Sequence, residues 1–162
     1  MTIKNKRILV TGGAGFIGSF CSKALLIEGC NVHAIDNLNS YYDIDLKKTR
    51  LKELETFNNF YFSNFDLIDS VKLHQTFLSF KPDIVIHLAA QAGVRYSLKQ
   101  PIAYLDSNII SFFNLIEAMK DFKVDKFIFA SSSSVYGNSS ALPYSEDAPT
   151  NRPVSLYAAT KK

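Results

Sequence analysis

Arg7-Ile8-Leu9-Val10-Thr11-Gly12-Gly13-Ala14-Gly15-Phe16-Ile17-Gly18 is the stretch on which the fold turns. A short apolar run ends at a glycine turn, and an apolar pattern of helical period follows, carried by Ile17, Cys21, Ala24 and Leu25. Glycines spaced as at 12, 15 and 18 permit a tight turn. They also let backbone approach a phosphate and let a helix pack close to its strand. The unpaired N–H groups and the dipole of such a helix start favour an anion. Glycine turns also serve the backbone alone, so the meaning of this one depends on its neighbours.

Outward from that stretch the same unit recurs. Gly29 stops the first helix, and residues 31–35 read as strand two. A loop at 36–42 leads to a helix around 43–57 with Leu46, Leu51 and Leu54 facing inward. Strand three is expected at 60–63, and a helix at 69–80 ends before Lys81-Pro82. Ile84-Val85-Ile86-His87-Leu88 is apolar on both faces, as a central parallel strand is, and 126–130 makes a fifth strand. Residues 138–153 hold three prolines and many small polar side chains, so a loop is predicted, with a new helix from Ser155. Strands alternating with helices imply a parallel α/β sheet. The segment 102–122 is apolar around most of its circumference, through Ile109, Ile110, Phe112, Phe113, Leu115, Ile116, Ala118 and Met119. A helix of that kind is covered on most sides. A partner subunit or more of the same chain would do this, and the partner is favoured.

Composition narrows the class. The 162 residues suffice for one domain with one core, and 47% apolar with 20% charged residues is globular. Eighteen basic and fifteen acidic side chains leave +3, too little to suggest nucleic-acid binding. Lys47, Lys48, Arg50 and Lys52 form the densest basic cluster, read as the wet side of a helix rather than a binding patch. Cys21 and Cys30 lack C-x-x-C spacing, which fits a reducing, cytoplasmic setting. From Thr2 the chain runs straight toward strand one with no signal peptide, and no apolar run approaches a membrane span. His33, His74 and His87 are scattered and read as structural, so no metal is expected.

Two further groupings carry chemistry. Asp36 ends strand two about 20 residues after the turn, where a carboxylate can accept from both ribose hydroxyls of a dinucleotide. It would repel a 2′-phosphate, and no arginine adjoins it, so NAD is favoured over NADP. Asp66, just past strand three, is placed to reach an adenine edge. The second grouping is Tyr157-Ala158-Ala159-Thr160-Lys161. Positions i and i+4 share a helix face, setting a phenol beside an ammonium. A phenol is a weak base at neutral pH, and a nearby ammonium and a positive nicotinamide both favour its anion. Ser131-Ser132-Ser133-Ser134-Val135-Tyr136-Gly137 follows strand five, at the sheet end where ligands bind. A hydroxyl there can bond the oxygen that the tyrosine deprotonates.

Together these residues resemble the extended short-chain dehydrogenase/reductase family, and within it the nucleotide-sugar 4-epimerases. The match runs through T-G-G-A-G-F-I-G from Thr11, D-N-L-N from Asp36, H-L-A-A-Q-A-G-V-R-Y-S from His87, S-N from Ser107, S-S-S-S-V-Y-G from Ser131 and Y-A-A-T-K from Tyr157. The His87 block, with S-L-Y-A-A-T-K-K, is most similar to UDP-glucuronate 4-epimerases. The resemblance implies a Rossmann-type doubly wound parallel sheet of five strands, order 3-2-1-4-5, with helices on both faces. It implies bound NAD, a UDP-sugar substrate, and a homodimer through the helices near 102–122 and 155–162. Ser132 then matches the catalytic hydroxyl, Tyr157 the base, and Lys161 its partner, which also holds the nicotinamide ribose. Gly12, Gly15 and Gly18 match the pyrophosphate turn, flanked by Phe16 and Ile17. Asp36 and Asn37 match the adenine-ribose site, and Asp66 and Leu67 the adenine site. Leu88, Ala89 and Ala90 match the backbone passing the cofactor, and Asn108 a polar residue beside it. Ser133 and Ser134 are neighbours able to share substrate contacts, and Arg95 stands where the substrate's anionic groups can approach.

Members of the family continue past this motif with another strand and a C-terminal substrate domain. Residues 1–162 are therefore expected to form the NAD-binding domain alone, with its last helix cut short and strand five left as an edge. Three readings follow: an epimerase converting UDP-glucuronate to UDP-galacturonate, an epimerase for another UDP-sugar, or an NAD-binding fragment without turnover. A 4,6-dehydratase needs an Asp-Glu pair after its catalytic hydroxyl, and Ser133 and Ser134 occupy those positions.

Overall fold

The computed structural model describes residues 3–139 and 142–162. Thr2, and residues 140–141 of the expected 138–153 loop, lie outside them. Five strands form one parallel sheet: β1 (Arg7–Thr11), β2 (Asn31–Asp36), β3 (Phe60–Asn64), β4 (Ile84–His87) and β5 (Phe127–Phe129), in the order β3-β2-β1-β4-β5. Helices α1 (Phe16–Ile27), α2 (Ile44–Leu54), α3 (Ser70–Phe80), α4 (Val94–Lys99), α5 (Pro101–Leu105), α6 (Ser111–Asp121) and α7 (Leu156–Lys161) connect and follow them. The expected sheet order is the one observed. It reverses direction between β1 and β4, with α1 and α2 packed on one face of the sheet and α3 and α6 on the other.

Alternation along β1 divides the core. Leu9 packs with Val85, Leu73, Phe77, Leu115 and Ala118 on the side of α3 and α6. Ile8 and Val10 pack with Val32, Ile86, Leu26 and Leu54 on the side of α1 and α2. Each such fully buried side chain contributes on the order of 1.5–3 kcal/mol. Both faces are therefore covered, which is why β4 lacks a polar side.

Helix starts follow the sequence. Asp43 caps α2 through the Asp45 amide, Asp69 caps α3 through Lys72, and Ser155 caps α7 through Ala158. Lys81 closes α3 in the left-handed conformation just before Pro82.

Two expectations are corrected. In α1 the core face is Gly18, Ser19, Ser22 and Leu26, while Ile17 is exposed along with Phe16, Phe20 and Ile27. The glycine turn draws the helix so close to the sheet that small residues must face it. In α2, Leu51 and Leu54 are buried as expected, but Leu46 is exposed and Lys47 is buried in its place. Positions 47, 51 and 54 are one face at i, i+4 and i+7, so the wet-side reading of Lys47 fails. The helix expected over 102–122 is present as one unbroken helical run, α5, a π-helical stretch at Asp106–Ile110, and α6. Helix α4 was not anticipated.

Candidate active site

The registers Thr11↔Ile35 and Thr11↔His87 bring the carboxyl ends of β2, β1 and β4 side by side. A cavity of about 310 Å³ opens over them, lined by the glycine turn, Asp36, Asn37, Asp66, Leu67, Leu88, Ala89 and Ala90. Those expected site residues are therefore gathered in one place, with Phe16 and Ile17 at its edge on the first turn of α1. Two glycines are required here. Gly12 has φ +70°, and a Cβ on it would stand 2.7 Å from the Ala89 nitrogen. A Cβ on Gly18 would overlap the Gly12 carbonyl.

Asp36 is buried. Its Oδ2 accepts from the Ala14 amide (3.2 Å), and its Oδ1 from the Leu38 amide (2.9 Å) and Lys47 Nζ (3.3 Å). A carboxylate offers about four acceptor positions, so roughly one stays open, room for one ribose hydroxyl rather than two. No arginine adjoins Asp36, but a lysine eleven residues on does. Lys47 also reaches Asn39 Oδ1 at 3.4 Å and lies over the Tyr42 ring. Asn37 Nδ2 donates to Asp66 Oδ2 at 2.7 Å, joining the loops after β2 and β3.

At the other end, Asn108 is committed to protein partners. Its Oδ1 accepts from the Gln91 amide (2.8 Å), and its Nδ2 donates to the Gln91 carbonyl (3.0 Å) and Thr160 Oγ1 (2.9 Å). It is a strut between the cavity wall and α7, and Ser107 is the residue of that pair that lines the cavity. The π-helical stretch supplies the rotation that turns Asn108 inward. Ser111, just after it, has a buried Oγ with no hydrogen-bond partner among the described residues, and it also lines the cavity.

Helix α7 is fastened to the end of β5. Ser131 Oγ donates to the Lys161 carbonyl at 2.7 Å, and Lys161 Nζ donates to the Ala130 carbonyl at 3.0 Å over the Phe129 ring. Lys161 is buried, and loss of solvent lowers its pKa from 10.5 to about 8. Ala130 lines the cavity, so the ammonium is held at its rim. Ser132 caps the short 3-10 turn Ser133–Tyr136, accepting from the Ser134 amide and donating to Ser134 Oγ. Tyr157 meets the edge of the buried Tyr104 ring, centroids 6.0 Å apart. Arg95 is exposed on α4, away from the cavity lining.

Unexpected among the polar lining residues are Asn39, Tyr41, Tyr42, Lys47, Gln91, Ser107 and Ser111. Lys47 was findable, since Leu51 and Leu54 fix the phase of its helix. The loop tyrosines left no periodic signal.

A parallel sheet with a glycine turn at its switch point defines a Rossmann-type α/β protein. Residues 9–162 match the GDP-mannose 4,6 dehydratase family, and the chain belongs to it as an extended short-chain dehydrogenase/reductase. UDP-glucuronate 4-epimerase of Thermodesulfobacterium geofontis is 49% identical over 154 residues, which cover 95% of this chain and 47% of that protein. The solved structure of UDP-glucuronic acid 4-epimerase from Bacillus cereus, in complex with UDP-glucuronic acid and NAD, has a TM-score of 0.83 at 41% identity. The match covers 96% of this chain and 48% of that one. The UDP-Glc/GlcNAc 4-epimerase of Campylobacter jejuni gives 0.87 at 32% identity, covering 96% and 46%. The chain thus spans about half the length of the relatives it matches. No helix among the described residues is long and apolar enough to cross a membrane.

Proposed function

We propose that residues 1–162 form the NAD-binding domain of a nucleotide-sugar 4-epimerase acting on UDP-glucuronate. The observation that carries this is the arrangement at one sheet end. The glycine turn and Asp36 lie at one side of a cavity whose far rim, Ala130, holds Lys161 of the Y-x-x-x-K helix. The residues fit the cofactor. Gly12 leaves the close approach that a Cβ would fill, and Ser111 Oγ is a buried hydroxyl awaiting an acceptor or donor. The amides of Phe16 and Ile17, on the first turn of α1, suit the pyrophosphate. Asp36 and Lys47 suit the adenine ribose, one accepting from a hydroxyl and the other donating to one.

Bound there, NAD supplies a reversible hydride acceptor. Tyr157, as phenolate, removes the proton of the sugar's 4-hydroxyl as C4 is oxidised. Lys161 favours that phenolate by its charge and would hold the nicotinamide ribose of bound NAD. Ser132 donates to the reacting oxygen, and turning its hydroxyl away from Ser134 frees the proton to do so. After the 4-keto sugar turns over, Tyr157 returns its proton to the 4-oxygen, and the bound cofactor would supply hydride to the opposite face. Arg95 is assigned to the substrate's anionic groups, and Ser133 and Ser134 to contacts beside Ser132. Water elimination, suggested by the family's name, would need carboxyl acid–base groups where Ser133 and Ser134 stand. The exposed apolar face of Ile102, Ile109, Ile110 and Phe113 supports a homodimer through α5, α6 and α7.

Because the chain spans about half of its relatives' length, turnover belongs to the whole protein. A second reading rests on the same fact: alone, these residues bind NAD without catalysis. Incubation with NAD and UDP-glucuronate, followed by chromatography for UDP-galacturonate, separates the two. Product at a useful rate favours an active domain. Bound NAD without product favours the fragment, and the absence of both NAD binding and product would sink the proposal.

A further inference from the structure

Strands β2 and β4 flank β1, so the loops after them stand on opposite banks of the groove above the glycine turn. Neighbouring strands lie about 4.8 Å apart, which makes the banks roughly 10 Å apart at the sheet. The loop after β2 nevertheless reaches the far bank: Tyr41 Oη donates to the Ala92 carbonyl at 3.0 Å. Its ring leans on Tyr96 of α4, centroids 5.0 Å apart. The adjacent Tyr42 hydroxyl sits over the turn itself, 3.5 Å from where a Cβ on Gly15 would be.

The near end of this crossing is fastened as well. The Asn39 amide donates to Asn37 Oδ1, and the Tyr41 amide to Asn39 Oδ1. Buried Lys47 ties Asn39 and the Tyr42 ring to Asp36. The landing point is fixed independently. Tyr104, fully buried, donates to the same Ala92 carbonyl at 2.7 Å. Gly93 has φ +100°, and a Cβ there would crowd the Tyr41 hydroxyl at 3.2 Å. One end of the loop is thus bolted in the core, while the other rests on a single hydrogen bond and an exposed ring contact.

The geometry points to residues 37–43 as a strap across the dinucleotide groove, hinged at Lys47 and latched by Tyr41 on Ala92, that sets how fast cofactor exchanges. This rests on the dinucleotide reading of the site and extends it. A cycle that returns its hydride needs no exchange between turnovers, so a closed strap costs the proposed reaction nothing. Because the dinucleotide lies beneath the strap, opening precedes both association and release.

The test uses the 162-residue chain with NADH as probe. Association is followed by the change in NADH fluorescence, and release by chasing bound NADH with excess NAD. Tyr41→Phe removes only the latch hydroxyl. Both rate constants should rise, roughly two- to tenfold, the range one net hydrogen bond is worth, with Kd moving less than either. Tyr96→Leu removes the ring that Tyr41 leans on and should move both rates the same way. If only release quickens and Kd weakens in step, Tyr41 is a plain contact and the strap is overturned. Unchanged rates in both variants overturn it too. Failure of the unmodified chain to bind NADH or NAD by calorimetry would instead bring down the dinucleotide site, and the strap with it.

Discussion

Replacing Lys47 by Met removes a buried cation beside Asp36 while keeping most of the packing of its stem. The two charges are 3.3 Å apart, and their side chains are 5% and 7% exposed. Removing one member of so enclosed a pair costs about 3–5 kcal/mol, because the other charge is left without compensation. Asp36 keeps two backbone donors, Ala14 and Leu38, which places the expected loss near the lower end, about 3 kcal/mol. Adding Asp36→Asn removes the stranded charge, so the double variant should recover roughly 2 kcal/mol of that loss. The assay is urea unfolding by circular dichroism at neutral pH, completed as a double-mutant cycle. A cofactor readout accompanies it: Asp36→Asn alone leaves Lys47 unopposed beside the ribose and should move the calorimetric preference from NAD toward NADP. A Lys47→Met loss below about 1 kcal/mol, or a double variant no more stable than Lys47→Met, would refute the buried pair as drawn.

Acid should weaken the fold through His33 and His87, both held near pKa 4 by burial, with the Lys161 charge adding to the effect at His87. Each is neutral when folded and gains a proton more readily when unfolded, so stability falls as pH drops from about 6.5 to about 4. At about 1.36 kcal/mol per pH unit, each contributes on the order of 3 kcal/mol. Unfolding curves at pH 7, 5.5 and 4.5 check this, and a His33→Phe variant should show a shallower loss. Lys161, with a folded pKa near 8 against an ordinary 10.5, works at the other end. The folded state releases that proton first, so stability relative to Lys161→Met should rise between pH 8 and 10.5; carbon NMR of the lysine side chain reads the pKa itself. Gly12→Ala forces a left-handed backbone and a 2.7 Å contact with Ala89 onto a side chain. It should cost about 2 kcal/mol or more and weaken NAD binding at least tenfold by calorimetry. Ile109→Asp with Phe113→Glu places charge on the exposed apolar face, and sedimentation should show a dimer become a monomer while the circular dichroism spectrum is kept.

Strand positions, the glycine turn and Asp36 were legible because they depend on short-range signals, whereas the sheet order and the backbone residues Leu88, Ala89 and Ala90 followed from the family resemblance. Strands β1 and β4 are apolar runs, Asp69 and Ser155 are caps, and the glycine spacing marks the turn. Helix phase was harder wherever function overrides burial. The glycine turn brings α1 so close that Ser22 rather than Ile17 faces the sheet. A buried charge pair puts Lys47 on the inward face of α2, where hydropathy favours Leu46. Asn108 was found as a residue but not as a strut, because its partners Gln91 and Thr160 stand 17 and 52 positions away. The Tyr41–Ala92 bond spans 51 positions and has no local trace in the chain.

The most direct measurement is a crystal structure of the chain grown with NAD. With NAD bound, the pyrophosphate should lie on the Phe16 and Ile17 amides, an adenine-ribose hydroxyl on Asp36, and the nicotinamide ring beside Tyr157 and Ser132 with its ribose near Lys161. A nicotinamide pointing away from Tyr157, or a groove that stays empty at saturating NAD, would contradict this placement.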